Sequence, residues 1–114
     1  MKTTLKPKKA PMQPGVMLDS HDCPEFPDPA EQKIFRSITA KLQFGSTWVR
    51  CDTSFTTSQL ARFCASAGRS HWTALHHLMG YLWANPSFKL HYRAGGSSGL
   101  DGYADADWGN SETR

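Results

Sequence analysis

Five of the seven prolines (Pro7, Pro11, Pro14, Pro24 and Pro27) fall within the first 27 of 114 residues, among scattered apolar side chains. Proline removes a backbone donor and fixes φ, so residues 1–27 are expected to form a disordered arm without helix or strand. The foldable chain is then residues 28–114, enough for one small domain and too short for a multidomain enzyme. No run approaches the roughly 18 apolar residues of a membrane helix. The opening MKTTLKPKKAPMQPGVM has bases with no apolar stretch behind them, unlike a secretory signal. A soluble protein of the cytoplasm or nucleus is therefore expected. Cys23, Cys51 and Cys64 are three in number and include no Cys-x-x-Cys pair, which argues against a disulfide framework.

Periodicity predicts three helices. Asp28-Pro29-Ala30-Glu31 reads as a helix start, with Asp28 as cap, Pro29 in the first turn and Glu31 three residues after the cap. That helix should run to about Phe44, bury Ile34, Phe35, Ile38 and Leu42, and stop at Gly45. A second is predicted over 53–67, carrying Phe55, Leu60, Phe63 and Cys64, with Asp52 or Thr53 as its cap. A third starts at a Ser70 cap, repeats Trp72, Leu75, Met79 and Leu82, and ends at Asn85-Pro86. Beyond the proline the period changes. Phe88, Leu90 and Tyr92 alternate with Lys89 and His91, Gly95 to Gly99 can turn the chain, and 100–107 can return as a second strand. The expected fold class is α+β: a disordered arm over 1–27, a helical segment over 28–87, and a C-terminal β-hairpin within 88–114.

Charge is segregated along this order. Residues 1–15 carry +4, 16–31 carry −5, 32–95 carry +7 with Asp52 as the single acid, and 96–114 carry −3. A basic middle segment fits either a solvated face or a nucleic acid backbone, which Arg50, Arg62 and Arg69 would contact. Asp105 and Asp107 stand two apart. On a strand both carboxylates would share one face about 6–7 Å apart and could hold a divalent cation, or they could simply close an acidic hairpin. His71, His76 and His77 lack the one-turn spacing of a metal pair, and Trp72 at helical spacing reads as core.

In order along the chain stand Phe35-Arg36-Ser37-Ile38, Arg50-Cys51-Asp52, Leu60-Ala61-Arg62-Phe63, His71-Trp72-Thr73-Ala74, Tyr81-Leu82 and Gly102-Tyr103-Ala104-Asp105-Ala106-Asp107-Trp108. Together these blocks resemble the copia-type retrotransposon polyprotein where the end of reverse transcriptase joins the start of ribonuclease H. The family run reads roughly [YF]-R-S-I, R-P-D, L-S-R-F, H-W-x-A, a basic helix ending in Y-L, and G-Y-S-D-A-D-W. The resemblance covers about two thirds of the chain and implies a truncated fragment of a larger fold. It also implies a parent enzyme that makes DNA from RNA with Mg²⁺. By that resemblance Asp105 matches the first metal-binding aspartate of ribonuclease H, with Asp107 beside it. The partners implied are an RNA–DNA hybrid or DNA duplex and the rest of the polyprotein. Cys51 replaces the family proline, and His76, His77 and Gly80 replace bases of the third helix. The polymerase's Y-V-D-D run is absent, and one catalytic carboxylate cannot hold two metals, so this chain alone is expected to be inactive and to bind no metal tightly.

Overall fold

The computed structural model describes residues 4–96, 99 and 101–106. Among them the only regular elements are helical: α1 (Pro29–Trp48), a 3₁₀ turn (Cys51–Thr53), α2 (Ser54–Ala61) and α3 (Arg69–Ala84).

The start of α1 is the one its sequence specifies. Asp28 accepts the Ala30 N–H at 3.0 Å, Pro29 sits in the first turn, and Glu31 places an acid near the positive end of the helix dipole. Its end differs from expectation. Gly45 does not leave the helix; its carbonyl accepts the N–H groups of both Val49 (3.0 Å) and Arg50 (2.9 Å), and the helix continues to Trp48. Tertiary packing favours this extension, because Ser46 lies buried against Thr57, whose hydroxyl donates to Ser46 Oγ at 3.2 Å. The buried face of α1 is Gln32, Phe35, Thr39 and Ser46, with Ile38 and Leu42 at its margin, whereas Ile34 is 53% exposed.

The second helix is shorter than predicted. It ends at Ala61, and hydrogen-bonded turns carry the chain through Phe63, Cys64 and Ser66. Side-chain competition accounts for its weakness: the Thr57 hydroxyl bonds the Thr53 and Ser54 carbonyls and the Ser58 hydroxyl bonds that of Phe55. Phe55 points to solvent, while Leu60 and Phe63 enter the core. Along α3 the buried residues are His71, Ala74, Leu75, Leu78, Gly80 and Tyr81. This face is broader than the predicted stripe because α3 is covered twice, by the α1–α2 layer and by the N-terminal arm.

The arm forms no helix or strand over 4–27, as its prolines imply, but it is not loose. It runs antiparallel to α3, and its carbonyls meet the helix's side chains. Asn85 Nδ2 donates to the Lys8 carbonyl (3.3 Å), and His77 Nε2 meets that of Ala10 (2.9 Å). Farther along, His71 Nε2 meets the Asp19 carbonyl (2.7 Å) and the Ser66 hydroxyl donates to that of Pro24 (2.9 Å). Leu18 joins the buried core of Phe35, Leu60, Phe63, Leu75 and Leu78. Two glycines allow the close approach. A Cβ at Gly80 would strike the Lys6 carbonyl oxygen, and one at Gly68 would strike that of Asp22.

The expected C-terminal hairpin is overturned: no strand occurs among the described residues, and the fold is all-α. Phe88 to Tyr92 instead lean on the end of α1, with the Leu90 N–H donating to the Val49 carbonyl (2.8 Å) and the Tyr92 hydroxyl to that of Trp48 (2.6 Å). Period-two patterning stabilises a strand only when one face is buried, and a two-stranded sheet by itself is marginal. Here Phe88, Leu90 and Tyr92 are all exposed, so nothing rewards the pairing.

Candidate functional site

The first five of the sequence blocks named above meet in space, in pairs. Arg50, in the turn after α1, grips Asp52 with two parallel bonds, Nε to Oδ1 and Nη2 to Oδ2, each 3.1 Å. Its Nη1 donates to the Asn85 carbonyl at 2.5 Å, and its guanidinium carbon lies 5.7 Å from the centre of the Tyr81 ring. Tyr81 completes the group by donating its hydroxyl proton to Asp52 Oδ2 at 2.5 Å. Side-chain exposure is 12% for Arg50 and 15% for Asp52, so the pair is largely withdrawn from water. Burial pushes the Asp52 carboxyl up, but the bonds from Arg50 and Tyr81 outweigh it and hold the group below the usual carboxylate range. The same bond to Asp52, together with burial, pushes the Tyr81 phenol up.

A second pair joins the turn after α2 to α3. The His71 ring stacks on Phe63 with centroids 3.9 Å apart and planes 16° from parallel. Nδ1 of His71 accepts the Gly68 N–H at 2.8 Å, which leaves Nε2 as the donor to the Asp19 carbonyl. The imidazole thus caps its own helix and tethers the arm. A third pair, Phe35 against Trp72, is edge-to-face at 5.2 Å and 71°. Beside it the buried Gln32 amide reaches Ala67, accepting from its N–H at 3.1 Å and facing its carbonyl at 3.5 Å.

Two of the predicted contact residues, Arg50 and Arg69, stand well apart. Arg50 is committed to Asp52 and Asn85 near the C-terminal end of α3, while exposed Arg69 begins that helix, about 24 Å away at 1.5 Å per residue. Arg62 lies 5.5 Å from the Phe63 ring centre and donates to Gln59 at 3.1 Å. Asp105 is exposed outside any helix or strand, and Asp107 lies outside the described residues. No group of three or more His, Cys, Asp or Glu side chains gathers among the described residues. The cysteines are free, and burial pushes the Cys23 and Cys64 thiols up.

Sequence reasoning missed the arm's side of this assembly. Asp22 holds the start of α3, accepting the Ser70 N–H at 2.6 Å and the Ser70 hydroxyl at 2.8 Å. Between arm and helix lies a largely apolar cavity of about 410 Å³, bounded by Met12, Val16, Arg69 and Ala74 among others. The contact spans 48 residues of sequence, beyond the reach of any local pattern. No helix among the described residues is long and apolar enough to cross a membrane.

No family model and no solved structure matches the chain. Two curated proteins do: the retrovirus-related Pol polyproteins of the Arabidopsis thaliana transposons RE2 and RE1, 31% and 30% identical over 105 residues, 92% of this chain. The chain is a homologue of retrotransposon Pol polyproteins. It spans 7% of the length of each. Because 105 of 114 residues are matched, the homologous span takes in everything from 10 to 105, most of the arm included. A secreted RxLR effector protein, number 161, of Plasmopara viticola is 33% identical over 81 residues, 70% of this chain and 57% of the effector.

Proposed function

We propose that this chain corresponds to the piece of a copia-type Pol polyprotein that connects reverse transcriptase to ribonuclease H, and that its helical part serves there as a scaffold without chemistry of its own. The observation that carries this reading is the set of six motif blocks in family order, the first five of which spend side chains on one another. Phe35 of the first meets Trp72 of the fourth, Arg50 and Asp52 of the second meet Tyr81 of the fifth, and Phe63 of the third meets His71 of the fourth. Groups engaged in ring stacking and bidentate ion pairing hold a geometry and are not free to move protons or metals. Asp105 alone, by the resemblance, stands for a metal cluster that needs several carboxylates.

The DNA flanking this coding sequence tests the assignment. A Y-V-D-D-like codon run upstream and R-S-T-S-G-like codons after Arg114 are expected; unrelated sequence on both sides would refute it. Mg²⁺-dependent cleavage of an RNA–DNA hybrid by the purified 114-residue protein would refute the absence of chemistry.

A further inference from the structure

The C-terminal end of α1 carries an unusual surface. Phe44 and Trp48 lie one turn apart on the last turns of α1, with ring centroids 6.3 Å apart, and Lys41 precedes Phe44 on the same face. Tyr92 is fastened beside them by its bond to the Trp48 carbonyl, and Leu90 by its bond to Val49, which brings Phe88 to the same end. Exposure is 70% for Phe44, 59% for Trp48, 62% for Phe88 and 70% for Tyr92. At roughly 200 Å² per aromatic side chain this leaves about 500 Å² of ring surface in water, the size at which a patch marks an interaction site.

The charge on the two segments that carry these rings, 41–48 and 88–93, is of one sign. Lys89, His91 and Arg93 alternate with Phe88, Leu90 and Tyr92, and Lys41 and Lys89 are exposed like Arg93. From 32 to 100 the single carboxylate is Asp52, and it is bound to Arg50 and Tyr81. Wide ring faces interleaved with bases suit a strand that offers both unpaired bases and phosphates, whereas a second copy of the same face would meet it with like charge. We propose that this surface is a stacking platform for single-stranded nucleic acid. Phe44, Trp48, Phe88 and Tyr92 take the bases, and Lys41, Lys89 and Arg93 take the phosphates. The site is distinct from Arg50, Arg62 and Arg69, and it stands whether or not the connector assignment does, since that assignment is tested on the flanking codons.

The test is fluorescence anisotropy with a labelled oligothymidylate about 16 nucleotides long, the upper site size of one such platform, against the same length of duplex. The single strand should bind at least about tenfold more tightly than the duplex. Trp48→Ala and Phe44→Leu, both at exposed rings, should each weaken it at least about fivefold while leaving the melting temperature unchanged. Lys89→Gln and Arg93→Gln should each lower the log–log salt slope by about 0.7. Equal affinity for duplex, ring variants that bind like the parent, or a concentration-dependent dimer abolished by Trp48→Ala would each overturn the proposal, the last by making the patch a protein interface.

Discussion

Tyr81 on α3 donates its hydroxyl proton to Asp52 beside α2, across 29 residues of sequence, and that carboxylate also takes both arms of Arg50. Three side chains from two parts of the chain thereby share one largely buried charge pair, which fixes the end of α3 against the turn after α1.

Removing one partner should cost more than removing the pair. Asp52→Ala leaves the Arg50 guanidinium buried and unpaired, and should lower the unfolding free energy by about 3–5 kcal/mol. Tyr81→Phe deletes one charge-assisted bond at constant shape and should cost about 1.5–3 kcal/mol. Urea denaturation of the single and double variants gives the coupling; additivity would show that the hydroxyl and carboxylate act independently.

Stability should fall at both ends of the pH scale for the same reason. The Asp52 carboxyl is held below its ordinary value of 3.8, so its contribution is complete above that value and is lost as the pH falls through the lower, folded-state one. The Tyr81 phenol is held above its ordinary 10.0, so its contribution is complete below that value and is lost as the pH rises through the higher one. Denaturation across pH should therefore show Tyr81→Phe losing the alkaline decline attributable to the phenol, and Asp52→Asn flattening both limbs relative to the parent.

Gly80→Ala places a methyl group against the Lys6 carbonyl oxygen, and backbone cannot yield as a flexible side chain can. The arm should lift from α3 near Lys6 and Lys8, with a loss of about 1–3 kcal/mol. Faster amide exchange in α3 and earlier proteolysis within the arm, compared with the parent, are the expected readings.

The buried Thr39 hydroxyl has no hydrogen-bond partner. The Cys64 thiol faces it, and sulfur is too weak a partner to repay the lost water. Thr39→Val should raise the unfolding free energy by about 1 kcal/mol, within the usual cost of an unsatisfied buried group. A decrease in the melting temperature would show that the hydroxyl is satisfied after all.

Local sequence determined what local chemistry can determine. The Asp28-Pro29 start of α1, the end of α3 before Pro86, and the absence of helix or strand over residues 4–27 of the proline-rich arm all follow from caps, ring closure and missing donors within a few residues. The motif blocks were likewise legible, and they announced kinship with Pol polyproteins over most of the chain. Tertiary structure decided the rest. Helix α1 runs past Gly45 because Ser46 has Thr57 to pack on, and Phe88 to Tyr92 form no strand because no second layer buries their alternate side chains. Arg50 became a clamp on Asp52, and the arm found its place through Asp19, Asp22 and two glycines of the α3 region. These contacts join residues tens of positions apart, and a pattern confined to neighbours along the chain carries no record of what burial will bring to its side.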